Sequence, residues 1–213
     1  MLFWGDVMEM GGDFAWVDEI KGFLDPEEGH RLYETALVAA QMGPCLEIGS
    51  YCGKSAIYLG RACKEIGAVL FSVDHHRGSE EQQPGEEYFD PALFDVRTFG
   101  VDTFGHFRRT LRLAELEETV VPIVAPSALA ARGWATPLAL VFIDGGHAYE
   151  TVRADYDGWA RHVLSGGYLL IHDIFKDPAQ GGQAPYRVYQ AALESGLFDA
   201  LPMTGTLGVL KRR

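Results

Sequence analysis

Leu46-Glu47-Ile48-Gly49-Ser50-Tyr51-Cys52-Gly53-Lys54-Ser55 decides the fold. Cys45 to Ile48 is a short strand-forming run. Two glycines four apart follow it, and Ser55 to Ile66 reads as a helix. A strand that enters a glycine turn and leaves as a helix opens an open parallel sheet, whose ligands bind beyond the carboxyl ends of the strands. Two phosphate-binding patterns are excluded. Gly53-Lys54-Ser55 imitates the end of a P-loop, but the position five before Gly53, where a glycine is needed, is Ile48. The dinucleotide fingerprint Gly-x-Gly-x-x-Gly fails because Tyr51 stands where its second glycine belongs, which disfavours a nicotinamide oxidoreductase.

Outward from this turn the alternation continues. Upstream, Asp25 can cap a helix with Pro26 at its first position and Glu28 completing a capping box. Leu32, Tyr33, Ala36, Leu37 and Ala40 then recur at helical spacing up to Gly43-Pro44. Downstream, Val69 to Val73 is a strand ended by Asp74, and 102–114 is a helix. Val120 to Val124 and Leu138 to Ile143 are apolar runs of the kind buried between two helical layers. Thr151 to Leu164 is an amphipathic helix and Tyr168 to Ile171 a fifth strand. A helix near 185–195 precedes two strands, Phe198 to Met203 and Thr206 to Leu210, too close together for anything but an antiparallel hairpin. The expected architecture is α/β: a Rossmann-like doubly wound sheet of five parallel strands plus a C-terminal hairpin, seven strands in all, with helices on both faces. Residues 1–213 read as one domain, with 1–43 an N-terminal segment and helix. The stretch 77–100 is too long for an ordinary connection and reads either as a lid over the acceptor pocket, acidic outside and aromatic inside, or as a solvated surface insertion anchored by a few rings.

Composition narrows the function classes. The 213 residues carry 18 Lys plus Arg against 30 Asp plus Glu, a formal net charge of −12, which argues against nucleic acid as a partner. No apolar stretch is long enough for a membrane span, and the start lacks the basic region of a signal peptide. Cys45, Cys52 and Cys63 form no Cys-x-x-Cys pair, and their odd number suits a reducing, cytoplasmic setting. Phe3, Trp4, Phe14 and Trp16 make the first twenty residues aromatic enough to cover a pocket, dock on the core or meet a second subunit in a homo-oligomer.

The glycine turn suits a ligand without a central pyrophosphate, such as S-adenosylmethionine: Gly49 allows close backbone approach and the following helix N-terminus can receive a carboxylate. Asp74, ending the second strand, is placed to grip ribose hydroxyls. Here the sequence resembles a family. Leu-Glu-Ile-Gly-Ser-Tyr-Cys-Gly-Lys-Ser looks like the first motif of class I S-adenosylmethionine-dependent methyltransferases, and especially of the catechol-type small-molecule O-methyltransferases. The resemblance implies that Glu47, Gly49, Ser50, Tyr51, Gly53 and Ser55 serve the methionine end of the cofactor, Asp74 and His75 the ribose, and Ser127 the adenine, with Asp144 also among the cofactor-binding residues. Ser127 is equally a natural cap for a helix over 128–134.

Chemistry gathers at later strand ends. Strand four ends Ile143-Asp144-Gly145-Gly146-His147 and strand five Ile171-His172-Asp173. With Asp74-His75-His76, four of the seven histidines stand at such ends. Methyl transfer to a hydroxyl of a small-molecule acceptor needs alignment and removal or stabilisation of the acceptor's proton, which an imidazole or a divalent metal can provide. The resemblance implies catalytic roles for His147 and Asp144 and a metal held by Asp144 and Asp173. Two departures matter: His147 replaces the family's lysine base, and Ile174 stands where the family has an asparagine ligand. His147 or His172 could complete the ligand set, tilting its preference from Mg²⁺ towards transition metals. The alternative from another class is a catalytically silent protein that uses the cofactor pocket as a sensor.

Overall fold

The structure, a computed structural model, describes residues 14–213. Phe3 and Trp4 lie outside that range. Phe14 packs its ring against His30, Tyr33 and Tyr58, and Trp16 rests on the same core, so these two aromatics dock on the body of the chain.

The strands are β1 (Cys45–Ile48), β2 (Leu70–Asp74), β3 (Phe94–Asp95), β4 (Gly100–Val101), β5 (Val120–Val124), β6 (Leu138–Ile143), β7 (Val163–Ile171), β8 (Phe198–Thr204) and β9 (Leu207–Arg212). The helices are α1 (Pro26–Ala39), α2 (Lys54–Ile66), α3 (Phe104–Leu113), α4 (Ser127–Arg132), α5 (Tyr149–Trp159) and α6 (Ala184–Glu194). Seven strands form one sheet in the order β5-β2-β1-β6-β7-β9-β8, and β3 pairs with β4 in a separate small ribbon. The first five strands of that order run parallel, while β9 and β8 are antiparallel to their neighbours. Strand order reverses between β1 and β6, which sets the crevice for a ligand there.

The register aligns the chemistry. Ile48 sits opposite Val73 and Ile143, and Ile143 opposite Ile171. The residues one step beyond, Gly49, Asp74, Asp144 and His172, therefore leave the sheet together along one edge. Alternation in the strands divides the core. Leu140, Phe142 and Leu170 face α1, α2 and α3, whereas Leu46, Val141, Ile143 and Ile171 face α4, α5 and α6.

Several sequence expectations change. Val120 to Val124 is an edge strand, largely exposed, and Pro122 within it is tolerated because an edge leaves one row of backbone donors unpaired. The helix read over 151–164 runs from Tyr149 to Trp159, and Val163 and Leu164 belong to β7, which is longer than the four residues expected. Ser127 does not cap α4: Pro126 holds that position, and no side chain closes the turn. The insertion 77–100 is two short 3₁₀ turns and the β3–β4 ribbon. Its aromatics divide: Phe99 is 85% exposed, whereas Tyr88 lines the cavity beside Phe23 and Phe89 is partly buried. Its anchor is Leu93 and Val101 against Cys52, with Phe89 and Tyr51 alongside. Among the described residues no helix is long and apolar enough to cross a membrane.

Candidate active site

A cavity of about 800 Å³ opens over the carboxyl ends of β1, β2, β6 and β7. Its floor is the glycine turn. Gly49 has φ +83°, and a Cβ there would lie 2.1 Å from the carbonyl oxygen of Asp144, so only glycine fits this crossing of two strand ends. Asp74 anchors the turn from the side. Its Oδ2 accepts the backbone N–H groups of Ser50 and Tyr51, both at 2.9 Å, and Oδ1 accepts that of His76 at 2.7 Å. A carboxylate has about four acceptor positions, so Asp74 keeps capacity for a ligand hydroxyl. The Ser50 hydroxyl is buried without a partner on this wall.

Of the residues singled out from the sequence, Gly49, Ser50, Tyr51, Ser55, Asp74, His75, Ser127, Asp144, His147, His172 and Asp173 all line the cavity. Glu47 and Gly53 do not line it. Glu47 is fully buried behind the wall, where its carboxylate accepts the hydroxyls of Ser55 at 2.8 Å and Ser72 at 2.7 Å. Burial pushes its pKa up to about 7 against the pull of those two hydroxyls, and nearby Asp144 and Asp74 raise it further. Gly53, with φ +96°, faces Thr110 and Phe107 instead, so its role is packing of α3 against the turn.

At the other end stands a cluster of acids and imidazoles. His147 lies between Asp173, 2.8 Å from its Nε2, and Glu81, 2.8 Å from its Nδ1. The bond to Asp173 is the main reason its pKa rises to about 9; burial opposes this and Glu81 adds to it. His172 is buried, with Nδ1 3.1 Å from Asp144 and 3.3 Å from Asp173, and Nε2 2.8 Å from Glu28. Burial disfavours its charged form, but the surrounding carboxylates override that and raise its pKa well above the ordinary value. Burial likewise works against ionisation of Asp173, yet hydrogen bonds from His147 and His172 hold it far below the usual carboxylate range. For Asp144 burial prevails over the attraction of His172, and its pKa is raised. One ligand atom from each of Asp144, His172 and Asp173 can be chosen so that all lie within 4.8 Å of one another, a donor set of two oxygens and one nitrogen that fits a divalent metal.

Several wall residues escaped the sequence reading. Lys21 and Phe23, on the extended segment before α1, reach the cavity, and Phe23 lies between the rings of Tyr51 and Tyr88 at 5.7 and 5.3 Å. No periodicity marks that segment. Glu81 was one acid in a run of surface acids. Asp155 did carry a signal, as an acid on the apolar face of α5 between Val152 and Trp159. It is buried beside Ser127, and burial lifts its pKa to about 6 while the Ser127 hydroxyl draws it down. Ser127 also accepts the indole N–H of Trp159 at 2.8 Å. Glu28 was legible as a helix cap, a role it fills, but not as the partner of His172.

Solved structures share the fold. An O-methyltransferase from Bacillus cereus in complex with SAH is 15% identical, with 98% of this chain and 90% of that one covered at a TM-score of 0.63. A putative O-methyltransferase from Klebsiella pneumoniae is 17% identical over 98% and 94%, at 0.62. A putative caffeoyl-CoA O-methyltransferase from Staphylococcus aureus is 11% identical over 97% and 92%, at 0.63. The family model described as a methyltransferase domain matches residues 46–174, the span from the glycine turn to the end of the acid–imidazole cluster. By that match, which takes in more than half of its length, the chain belongs to the methyltransferase-domain family.

Proposed function

We propose that this protein transfers the methyl group of S-adenosylmethionine to a hydroxyl oxygen of a small-molecule acceptor. The observation that carries the reading is the single cavity that joins the glycine turn at β1 to the acid–imidazole cluster at β6 and β7. The methionine end of the cofactor lies along Gly49, Ser50, Tyr51 and Ser55, the ribose against Asp74 and His75, and the adenine near Ser127 and Asp155. Glu47 acts from behind, fixing the Ser55 hydroxyl and adding negative charge beneath a cationic sulfonium. The acceptor occupies the end near Asp144 and His147.

Displacement at a sulfonium methyl is in line, so most of the rate comes from holding acceptor oxygen and methyl carbon in register. His147 is the group that meets the acceptor's proton or developing charge. With both ring nitrogens facing carboxylates it is an imidazolium near neutral pH, and in that form it stabilises a negative acceptor oxygen. To act as the base it must first give up its proton. Asp144, His172 and Asp173 are the residues that would hold a divalent ion, which supplies Lewis-acid stabilisation of an acceptor oxygen when bound.

Residues 77–100 serve as a lid, joined to the segment before α1 by the Lys21–Asp90 ion pair and to the site by Glu81 on His147. We read 1–213 as one domain working in the cytoplasm, in keeping with three buried free thiols. Thermal-shift measurements with S-adenosylhomocysteine, NAD and NADP test the function. Stabilisation by S-adenosylhomocysteine alone, lost in Asp74→Ala, is the expected result; stabilisation by NAD alone would overturn it.

A further inference from the structure

The insertion 77–100 starts directly after His76 and rejoins the body of the fold at Thr103, and these two residues are tied to each other twice. Nδ1 of His76 lies 2.8 Å from Thr103 Oγ1, and the Thr103 N–H donates to the His76 carbonyl at 3.1 Å. Both residues are buried, at 2% and 1% exposure. The His76 ring packs on Phe104 and Phe107 of α3, with centroids 5.0 and 5.1 Å away. It also faces the Tyr51 main chain, but Nε2 closes no hydrogen bond there, so among the described residues Thr103 is the ring's one polar hold.

Two departures from ordinary geometry need a reason. Thr103 stands at the N-cap of α3, where a threonine hydroxyl commonly accepts a backbone N–H of the first turn; here it makes no such bond and serves His76 instead. His76 has φ +58°, a left-handed conformation that is costly for a residue with a Cβ. That conformation turns the His76 N–H back onto Oδ1 of Asp74 at 2.7 Å, the carboxylate whose Oδ2 holds the glycine turn at Ser50 and Tyr51. We propose that His76 is a positioning residue that joins Asp74 to the insertion: its strained main chain orients the carboxylate, and its ring ties together the two ends of 77–100. Ring and main chain belong to one residue, so a ligand that fixes Asp74 also steadies the insertion beside the acceptor. The role at Asp74 rests on the function proposed above, whereas the tie across the insertion stands without it.

Valine and asparagine at position 76 separate orientation from packing, because the two side chains are close in size but differ in their tolerance of a positive φ. Asparagine adopts that conformation readily and its amide can replace Nδ1 at Thr103; valine does neither. On the full chain, calorimetric affinity for S-adenosylhomocysteine should fall at least about tenfold in His76→Val and stay within about threefold of the wild type in His76→Asn. Packing alone predicts equal losses or the reverse order, and either result would overturn the positioning role. Thr103→Val removes only the hydroxyl of the tie and leaves His76 in place. Without ligand it should speed proteolytic cleavage within 77–100 at least about fivefold, the scale of one buried hydrogen bond, and keep S-adenosylhomocysteine affinity within about threefold. Cleavage at the wild-type rate would overturn the tie, a reading that holds even where His76→Val fails to fold. Failure of the wild type to bind S-adenosylhomocysteine would sink the methyltransferase reading and with it the role at Asp74, while ligand-free cleavage still decides the tie.

Discussion

Gly49 and Asp144 meet backbone to backbone: a Cβ on Gly49 would stand 2.1 Å from the Asp144 carbonyl oxygen. The crossing fixes the distance between the turn proposed for the cofactor and the strand end proposed for the acceptor. Gly49→Ala must both strain a φ of +83° and push these segments apart. We expect a loss of roughly 2–4 kcal/mol in urea unfolding and at least a tenfold loss of S-adenosylhomocysteine affinity. An alanine variant with full stability and affinity would show that the contact does not set the site.

Glu47 makes stability depend on pH with a definite sign. Burial raises its folded pKa to about 7 from an ordinary value of 4.5, so the folded state binds this proton more tightly than the unfolded chain. Its contribution is whole below pH 4.5 and declines as pH rises through 7. Glu47→Gln cannot ionise and can still bond Ser55 and Ser72. The variant should therefore gain on the wild type as pH rises, by roughly 2–3 kcal/mol at pH 8 relative to pH 4.5. Urea titrations at the two pH values check this, and a difference that stays flat with pH would refute the buried-proton account.

The legible part of the molecule was whatever local pattern controls. The strand–turn–helix at 46–55 and the capping box at Asp25–Glu28 were readable because each is set by a few adjacent residues. Seven strands and the terminal hairpin followed from apolar runs and short spacings. Edge position was not readable, because Val120 to Val124 is as apolar as a central strand and only the strand order exposes it. Glu47 shows the converse limit. Its motif position was visible, but which way its carboxylate points depends on Ser72, a residue of the neighbouring strand. The Glu28–His172 pair was out of reach for the same reason, since it joins the first helix to the fifth strand of the sheet only after both have packed.

Ser127 should prove as much a structural residue as a cofactor neighbour. It accepts the N–H of the fully buried Trp159 and bonds the buried Asp155. Ser127→Ala strands both groups, at a cost of about 1–3 kcal/mol. Asp155 already has its pKa raised to about 6 by burial, and the serine bond lowers it, so the variant's pKa moves higher still. The folded anion then costs more, and the destabilisation should be larger at pH 8 than at pH 5. Unfolding followed by tryptophan fluorescence at both values measures it. A loss larger at pH 5 would contradict the hydrogen-bonding pattern.

Phe23 is the residue that separates a working lid from a passive insertion. It is 61% exposed, so its removal should shift the melting temperature by no more than about 2 °C. Its ring nevertheless bridges Tyr51 of the glycine turn to Tyr88 of the insertion. If the insertion closes over the acceptor, Phe23→Ala should raise KM for the acceptor roughly 3- to 10-fold, the size of an aromatic pair contact, and leave kcat within about twofold. The neighbouring Lys21–Asp90 pair is exposed and should add little to stability, yet it ties the same two segments. Limited proteolysis of 77–100 should therefore slow when cofactor and acceptor are both present, and slow less in Phe23→Ala. Equal cleavage with and without ligands, together with an unchanged KM, would make the insertion a surface feature and leave the cavity open during turnover.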